Sequence, residues 1–368
     1  MHMALAIYRK YRPSSFEELL GQELVSKILN EAAKRDTLSH AYLFAGPRGT
    51  GKTTTARLIA KIANCETRAK DDAFRKKGEP CNKCDTCANI DNGRSLDVIE
   101  IDAASNRGID EIRNLKEGVR LSPSSGKYKI YIIDEAHMLT KEAWNALLKT
   151  LEEPPEHIII ILATTESDKV PATISSRTQQ FFFQRITAKE IGEKLAKIAK
   201  EEKIKITKEA LNLIASSAEG SFRDAESLFN QLFCIENEIT LEDVESAVGK
   251  VGFGKLSEFA GFLLEKNIDA SLKALSGIED GGYNLVQFTK DILQYLRRTA
   301  VLSYSPEMEE RFKREISDDH LNTLKSHARL FNEEHLKLIK LLIEGYSEMR
   351  YSQFPIIPLE VAIIEGLK

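Results

Sequence analysis

The first half of the chain alternates short apolar runs with longer stretches of helical periodicity. Leu38 to Ala45, Val98 to Ile101, Lys129 to Ile133, Ile158 to Ala163 and Gln179 to Phe183 each read as a strand. Near-continuous apolar, β-branched strands imply a parallel sheet covered on both faces by the intervening helices. Two of those helices are well delimited. Thr53 to Ala63 follows a run of glycines, while Ala143 to Leu151 lies between Thr140, an N-cap residue, and Pro154-Pro155, which stop it.

From about Ile186 the strand signal gives way to helices. Lys189 to Glu202, Thr207 to Ala218, Phe222 to Ile235 and Leu241 to Val248 are predicted helical, with Thr187, Thr207, Ser221 and Thr240 at capping positions. Three glycines between Gly249 and Gly254 predict a hinge. Beyond it, Leu285, Phe288, Ile292 and Leu296 share one helical face, and Leu338, Ile339, Leu341 and Leu342 form another apolar surface. The expected organisation is an α/β domain over residues 1–184, a small helical domain over 185–248 and an all-helical domain over 249–368.

Composition narrows the classes. A length of 368 residues suggests two or three domains, and 42% hydrophobic against 29% charged residues excludes compositional disorder. The 52 Lys and Arg against 56 Asp and Glu leave a net charge of −4, so contact with nucleic acid would need a local positive surface. The run from His157 to Ala163 is too short to span a bilayer. No charged segment followed by an apolar stretch opens the chain, so the expected address is cytoplasmic, without a membrane partner.

Chemistry enters between the first strand and the first well-defined helix. Gly46, Pro47, Arg48, Gly49, Thr50, Gly51, Lys52 and Thr53, with Thr54 following, fit the phosphate-loop pattern in the strand–loop–helix setting it requires. Glycines let successive N–H groups turn inward around a phosphate, and the helix N-terminus adds positive potential. Lys52 would bridge the β- and γ-phosphates of ATP, and the Thr53 hydroxyl would ligate Mg²⁺. At the end of the third strand, Asp134 would hold the magnesium through water, and Glu135 would act as general base on the attacking water. Adjacent residues of an extended strand face opposite ways, so the two carboxylates need not compete. Asp134-Glu-Ala-His137 also spells a helicase box, but such a helicase would need a second parallel sheet, and no further apolar strands follow Phe183.

Order and spacing along the chain resemble a known family. Its elements are Tyr8-Arg-Lys-Tyr-Arg12-Pro13, with Phe16 and Gly21-Gln22 following; the phosphate loop; four cysteines; Asp102-Ala-Ala-Ser105; Asn145 to Pro155; Ala163-Thr-Thr165; Ser176-Arg177; and Gly220-Ser-Phe-Arg223-Asp-Ala. In this order they resemble the AAA+ ATPases and, within them, the gamma/tau subunits of bacterial DNA polymerase III clamp loaders. The resemblance implies an AAA+ domain with a five-stranded parallel sheet, a helical lid and a helical collar. It implies an ATPase serving DNA replication within the DNA-directed DNA polymerase III holoenzyme, a nucleotidyltransferase. Partners implied are the other subunits of a pentamer, a sliding clamp and primer-template DNA bound without sequence specificity.

The resemblance also implies roles for single residues. Tyr8, Arg12 and Pro13 would wall the adenine side of the pocket, Thr165 would be sensor 1, and Arg223 sensor 2. Arg177 would be an arginine finger presented to the neighbouring subunit's ATP, although the family's Ser-Arg-Cys stands here as Ser176-Arg177-Thr178. Ser105, Asn106, Arg107 and Lys149 are the candidates for DNA phosphate contacts. A non-hydrolysing scaffold subunit of the same assembly is the alternative, which intact Lys52, Thr53, Asp134 and Glu135 disfavour; a protein-remodelling ring would call for an aromatic pore loop, for which there is no persuasive candidate.

Four of the five cysteines, Cys65, Cys81, Cys84 and Cys87, follow C-x15-C-x2-C-x2-C. Four thiolates close a tetrahedral zinc shell and leave no position for water, so the site predicted over about 65–90 is structural Zn²⁺, stapling a charged, loop-like insertion. An iron–sulfur cluster is the alternative. Cys234 stands apart and reads as a small core residue.

Overall fold

The computed structural model describes residues 7–105, 115, 117–119, 121–235 and 237–368. These form two compact units, residues 1–186 with 220–224, and residues 187–219 with 225–368.

In the first unit five strands, β1 (Ala41–Ala45), β2 (Val98–Asp102), β3 (Lys129–Asp134), β4 (Ile158–Thr164) and β5 (Gln179–Phe182), pair in parallel in the order β2-β3-β4-β1-β5. Alternate residues of the same strands serve two cores, as a period of two demands. Tyr42, Phe44, Ile130, Ile132, Ile159, Ile161 and Phe181 pack on one face with Leu29, Leu58 and Ile59 of the helices Glu23–Lys34 and Lys52–Asn64. Leu43, Tyr131, Ile133, Ile160 and Leu162 pack on the other with Trp144, Leu147 and Leu151 of the helix Lys141–Glu152. Burial on both faces explains why the strands are apolar throughout. Thr140 caps Lys141–Glu152 through the Ala143 N–H, as expected.

The second unit is helical. Ala188–Glu201 and Leu241–Val248 open with capping boxes built on Thr187 with Glu190 and Thr240 with Asp243. Thr207 caps Lys208–Ser217, and Phe222–Leu232 ends earlier than its periodicity suggests. Leu285, Phe288, Ile292, Leu296, Leu338 and Leu342 enter one core with Leu359 and Ile363 of the last helix, Ile356–Leu367.

The glycine-rich stretch after Val248 is not a loose hinge. Glu245 accepts from the Gly252 N–H at 2.7 Å and pairs with Lys255 at 2.7 Å, while Val251 is buried in the core that follows. Gly249 closes the preceding helix in the left-handed conformation, at φ 65. Cys234, expected in the core, is exposed. No helix among the described residues is long and apolar enough to cross a membrane.

Candidate functional site

The phosphate loop leaves β1 at Ala45 and enters the helix Lys52–Asn64 at Gly51. Gly46 (φ +150) and Gly49 (φ +73) adopt backbone that side chains rarely tolerate, and each also has no room for one. A Cβ on Gly46 would sit 2.4 Å from the Phe183 carbonyl oxygen, and one on Gly49 would sit 1.9 Å from Ser221 Oγ. The Gly49 carbonyl accepts from the Phe222 N–H at 3.1 Å, so the loop is clasped by the segment bearing Arg223. Arg223 in turn lies 5.8 Å from the centre of the Tyr8 ring. Arg223 and Tyr8, far apart in sequence, are thus brought together. Arg12 and Pro13 are half-buried nearby in the chain, as are Pro47 and Thr54, with Arg48 exposed and Thr50 buried, its hydroxyl donating to the Pro47 carbonyl at 2.9 Å.

Lys52 is buried, and its Nζ donates to the Gly46 and Pro47 carbonyls at 2.7 Å each. Burial pushes its ammonium below the usual range, against the pull of Glu135 and Asp134. The Thr53 hydroxyl donates to Asp134 Oδ2 at 2.8 Å, joining the loop to the end of β3. A hydroxyl and a carboxylate oxygen in contact are the hard donors that Mg²⁺ takes, so these residues fit the ion.

Glu135 departs from the expected extended strand. β3 stops at Asp134, and Glu135 turns left-handed (φ 48) into the short helix Ala136–Met138. Its carboxylate is turned by this local twist, not by strand alternation, and Oε2 accepts from the Thr165 hydroxyl at 3.1 Å. β4 separates β1 from β3, so the strands that lead into the loop and the acidic pair lie two strand spacings apart, about 10 Å, with Thr165 just past the strand between them.

Arg177 stands outside this group. Its guanidinium pairs with Glu152 Oε1 at 2.8 Å and donates to the Thr173 carbonyl at 2.8 Å. Of the residues named for DNA, Asn106 and Arg107 lie outside the described residues. Ser105 is exposed and its hydroxyl donates to Asp102 at 3.0 Å; Lys149 is exposed on Lys141–Glu152.

The four sulfurs of Cys65, Cys81, Cys84 and Cys87 lie within 4.8 Å of one another. A Zn–S bond of about 2.3 Å puts the sulfurs of a tetrahedral shell about 3.8 Å apart, so the set fits zinc; Cys81 and Cys87 are 4.0 Å apart. The Lys83 and Cys84 N–H groups point at Cys81 Sγ at 3.4 and 3.3 Å, as suits a thiolate. The Cys87 thiol, hydrogen-bonded to Cys65, holds Cys65 down at about 4, and the same bond pushes Cys87 up. The insertion is less loop-like than its charge suggests, with short helices at Glu66–Lys70, Asp72–Arg75 and Asp85–Asp91.

Three features escaped the sequence reading. Lys61, fully buried on the phosphate-loop helix, reaches Asn82 at 2.7 Å and Asp91 at 3.0 Å, both beside the cysteines. Its place among Leu58, Ile59 and Ile62 on an apolar face was the available signal. Asp97 accepts three backbone N–H groups, from Ser124, Ser125 and Gly126. His137 contacts Glu135, Thr164 and Glu166.

Three family descriptions match successive parts of the chain. They are DNA polymerase III, delta subunit, over residues 21–187; DNA polymerase III clamp loader subunit, ATPase lid domain, over 190–235; and DNA polymerase III subunits gamma and tau domain III, over 239–366. The chain is 41% identical over 364 residues to DNA polymerase III subunit tau of Bacillus subtilis, covering 98% of this chain and 62% of that protein. It is 44% identical over 292 residues to subunit gamma/tau of Mycoplasma genitalium, covering 79% and 48%, and 38% identical over 299 residues to subunit tau of Escherichia coli, covering 81% and 45%. The chain thus spans between about half and three fifths of these relatives' lengths.

Among solved structures, the Bacillus subtilis DNA clamp loader delta protein aligns with a TM-score of 0.39 at 17% identity, over 93% of this chain and 99% of that one. The Thermotoga maritima RuvB Holliday junction branch migration motor aligns with a TM-score of 0.46 at 20% identity, over 72% and 85%. The architecture is an AAA+ phosphate-loop domain followed by a helical lid and a helical C-terminal domain. Carrying clamp-loader domains in this order, with four tenths of its residues shared with a tau subunit, the chain belongs to the gamma/tau family of DNA polymerase III clamp-loader subunits.

Proposed function

We propose that this chain is an ATP-hydrolysing motor subunit that opens a ring-shaped sliding clamp and loads it onto primed DNA. The reading is carried by the contact of Thr53 with Asp134 beside that of Thr165 with Glu135, which sets the donors for a metal next to a base for water. Mg²⁺ held by Thr53 and Asp134 would neutralise charge building on the phosphates. Lys52 binds the β- and γ-phosphates, and Tyr8, Arg12 and Pro13 enclose the adenine, with Arg223 ordered by the triphosphate. Glu135 takes a proton from water as the water oxygen bonds to the γ-phosphorus and the bond to the β-phosphate oxygen breaks, leaving ADP and phosphate.

Arg177 has no place in this chain's own site, and its fork is charged and oriented by Glu152. It is offered to ATP on an adjacent subunit of a pentamer, so turnover follows assembly. Residues 185–248 act as the lid and 249–368 as the collar that joins subunits, while Ser105 and Lys149 follow DNA phosphates without reading bases. The cysteine cluster holds a structural zinc.

Arg177→Ala tests the reading. Nucleotide affinity of the variant should match the parent, and the ATPase rate stimulated by clamp and primed DNA in the complete assembly should fall about 10³-fold, the low end for a finger supplied in trans. Lost nucleotide binding would exclude the trans role, and a parent rate unmoved by clamp and DNA would make the chain a scaffold.

A further inference from the structure

We propose that His137 is a positioning residue for Glu135, fixing which oxygen of the carboxylate faces water; the proposal rests on the hydrolytic reading above and deepens it. Glu135 is a non-glycine residue in left-handed backbone, a conformation that persists only where neighbours impose it. His137 lies on the single turn that Glu135 opens, and its side chain is only 8% exposed. Its Nδ1 is 3.1 Å from Thr164 Oγ1 and 3.5 Å from Glu135 Oε2, and its Nε2 is 3.2 Å from Glu166 Oε1.

Each of these neighbours belongs to the site's frame. Thr164 is fully buried at the end of β4, and its carbonyl accepts the Gly46 N–H at 3.1 Å where the phosphate loop begins. The Thr164 hydroxyl meets the main chain of Glu166, at 3.0 Å from its N and 3.2 Å from its O. Glu166 is held on its outer side by Lys169 at 2.8 Å. The imidazole therefore ties the turn bearing the base to the strand end bearing Thr165 and the loop. Thr165 and His137 both approach Oε2 of Glu135, which is the anchored oxygen; Oε1 is left to take the proton.

The experiment uses the full chain assembled with its loader partners, sliding clamp and primed DNA, and reads nucleotide affinity, kcat and KM separately. His137→Ala should lower kcat about 10- to 100-fold, the effect of displacing a reacting group by roughly 1 Å, with nucleotide affinity held within about twofold. His137→Asn, whose amide nitrogen stands in for Nδ1 beside Thr164 and Glu135, should recover part of that loss. Glu166→Ala, at a partly exposed position that threatens folding little, should lower kcat by a smaller factor, about three- to tenfold, and decides the matter if His137→Ala does not fold.

A lowered melting temperature with unchanged kcat in both variants would mark a merely structural histidine and overturn the proposal. Glu135→Gln, measured alongside, separates the two layers. Turnover surviving that change would sink the base assignment and the positioning role together. Turnover lost there but retained in His137→Ala and Glu166→Ala would sink the positioning role alone.

Discussion

Asp97 illustrates how a single side chain can organise a connection. It accepts N–H groups from Ser124, Ser125 and Gly126 at 2.6 to 2.8 Å, shaping the turn before β3, the strand that ends at Asp134. Burial acts to raise its pKa, but the three donors outweigh burial and leave it below the ordinary carboxylate value. A carboxyl depressed in the folded state adds stability above its unfolded pKa, and that stability is lost as pH falls through the folded value. Asp97→Asn should therefore destabilise the protein by about 2 kcal/mol at neutral pH, with the deficit shrinking below about pH 4. Denaturation of both proteins across that range checks it, and a deficit independent of pH would remove the charge from the account. Nothing in the sequence marked Asp97, because its partners are main-chain donors 27 to 29 residues away. The phosphate loop was legible residue by residue, since its chemistry depends on local spacing.

At the scale of elements, the five strands and their intervening helices follow from apolar runs and caps, with ends shifted by a residue or a few. Shifts occur where terminal residues are decided by pairing: β3 gains Asp134 through its register with Asp102, and β4 gains Thr164 opposite Ala45. The failed hinge has a plainer cause. Glycines announce backbone freedom, but Glu245, a helix residue only 1% exposed, ties the Gly252 N–H and Lys255 across them. Capping is the element-level feature best read in advance. Thr240 and Asp243 exchange hydrogen bonds at the mouth of an eight-residue helix, Leu241–Val248, too short to persist by propensity alone. Thr240→Ala should cost about 1 kcal/mol locally. Amide exchange within Leu241–Val248 should speed about fivefold, the same cost expressed as a rate, while exchange in the central sheet stays unchanged; equal rates in parent and variant would show that the cap contributes nothing.

At the scale of the molecule, the cysteine cluster and the phosphate loop share one helix. Lys52 sits at its first turn, Cys65 caps its last, and Lys61 reaches sideways into the cysteine-bearing segment through Asn82 and Asp91. Asn82 Nδ2 also donates to the Ser14 carbonyl, and Glu79 accepts the Phe16 N–H, so the insertion grips the chain that follows Arg12 and Pro13. Chelation should release about one zinc per chain and weaken binding of a fluorescent ATP analogue about tenfold, equivalent to 1.4 kcal/mol. Metal release without any change in that affinity would confine the cluster to local stapling. The cysteine spacing revealed the donor set, but this long-range bracing became visible only once folding had joined segments distant in sequence. The sheet order carries a last consequence. Because β4 stands between the strand that feeds the loop and the strand that ends at Asp134, main-chain pairing holds those two strand ends at a fixed separation. On the proposed mechanism, a substitution at Glu135 would silence the chemistry without altering that width, leaving a chain still shaped to clasp fuel it can no longer spend.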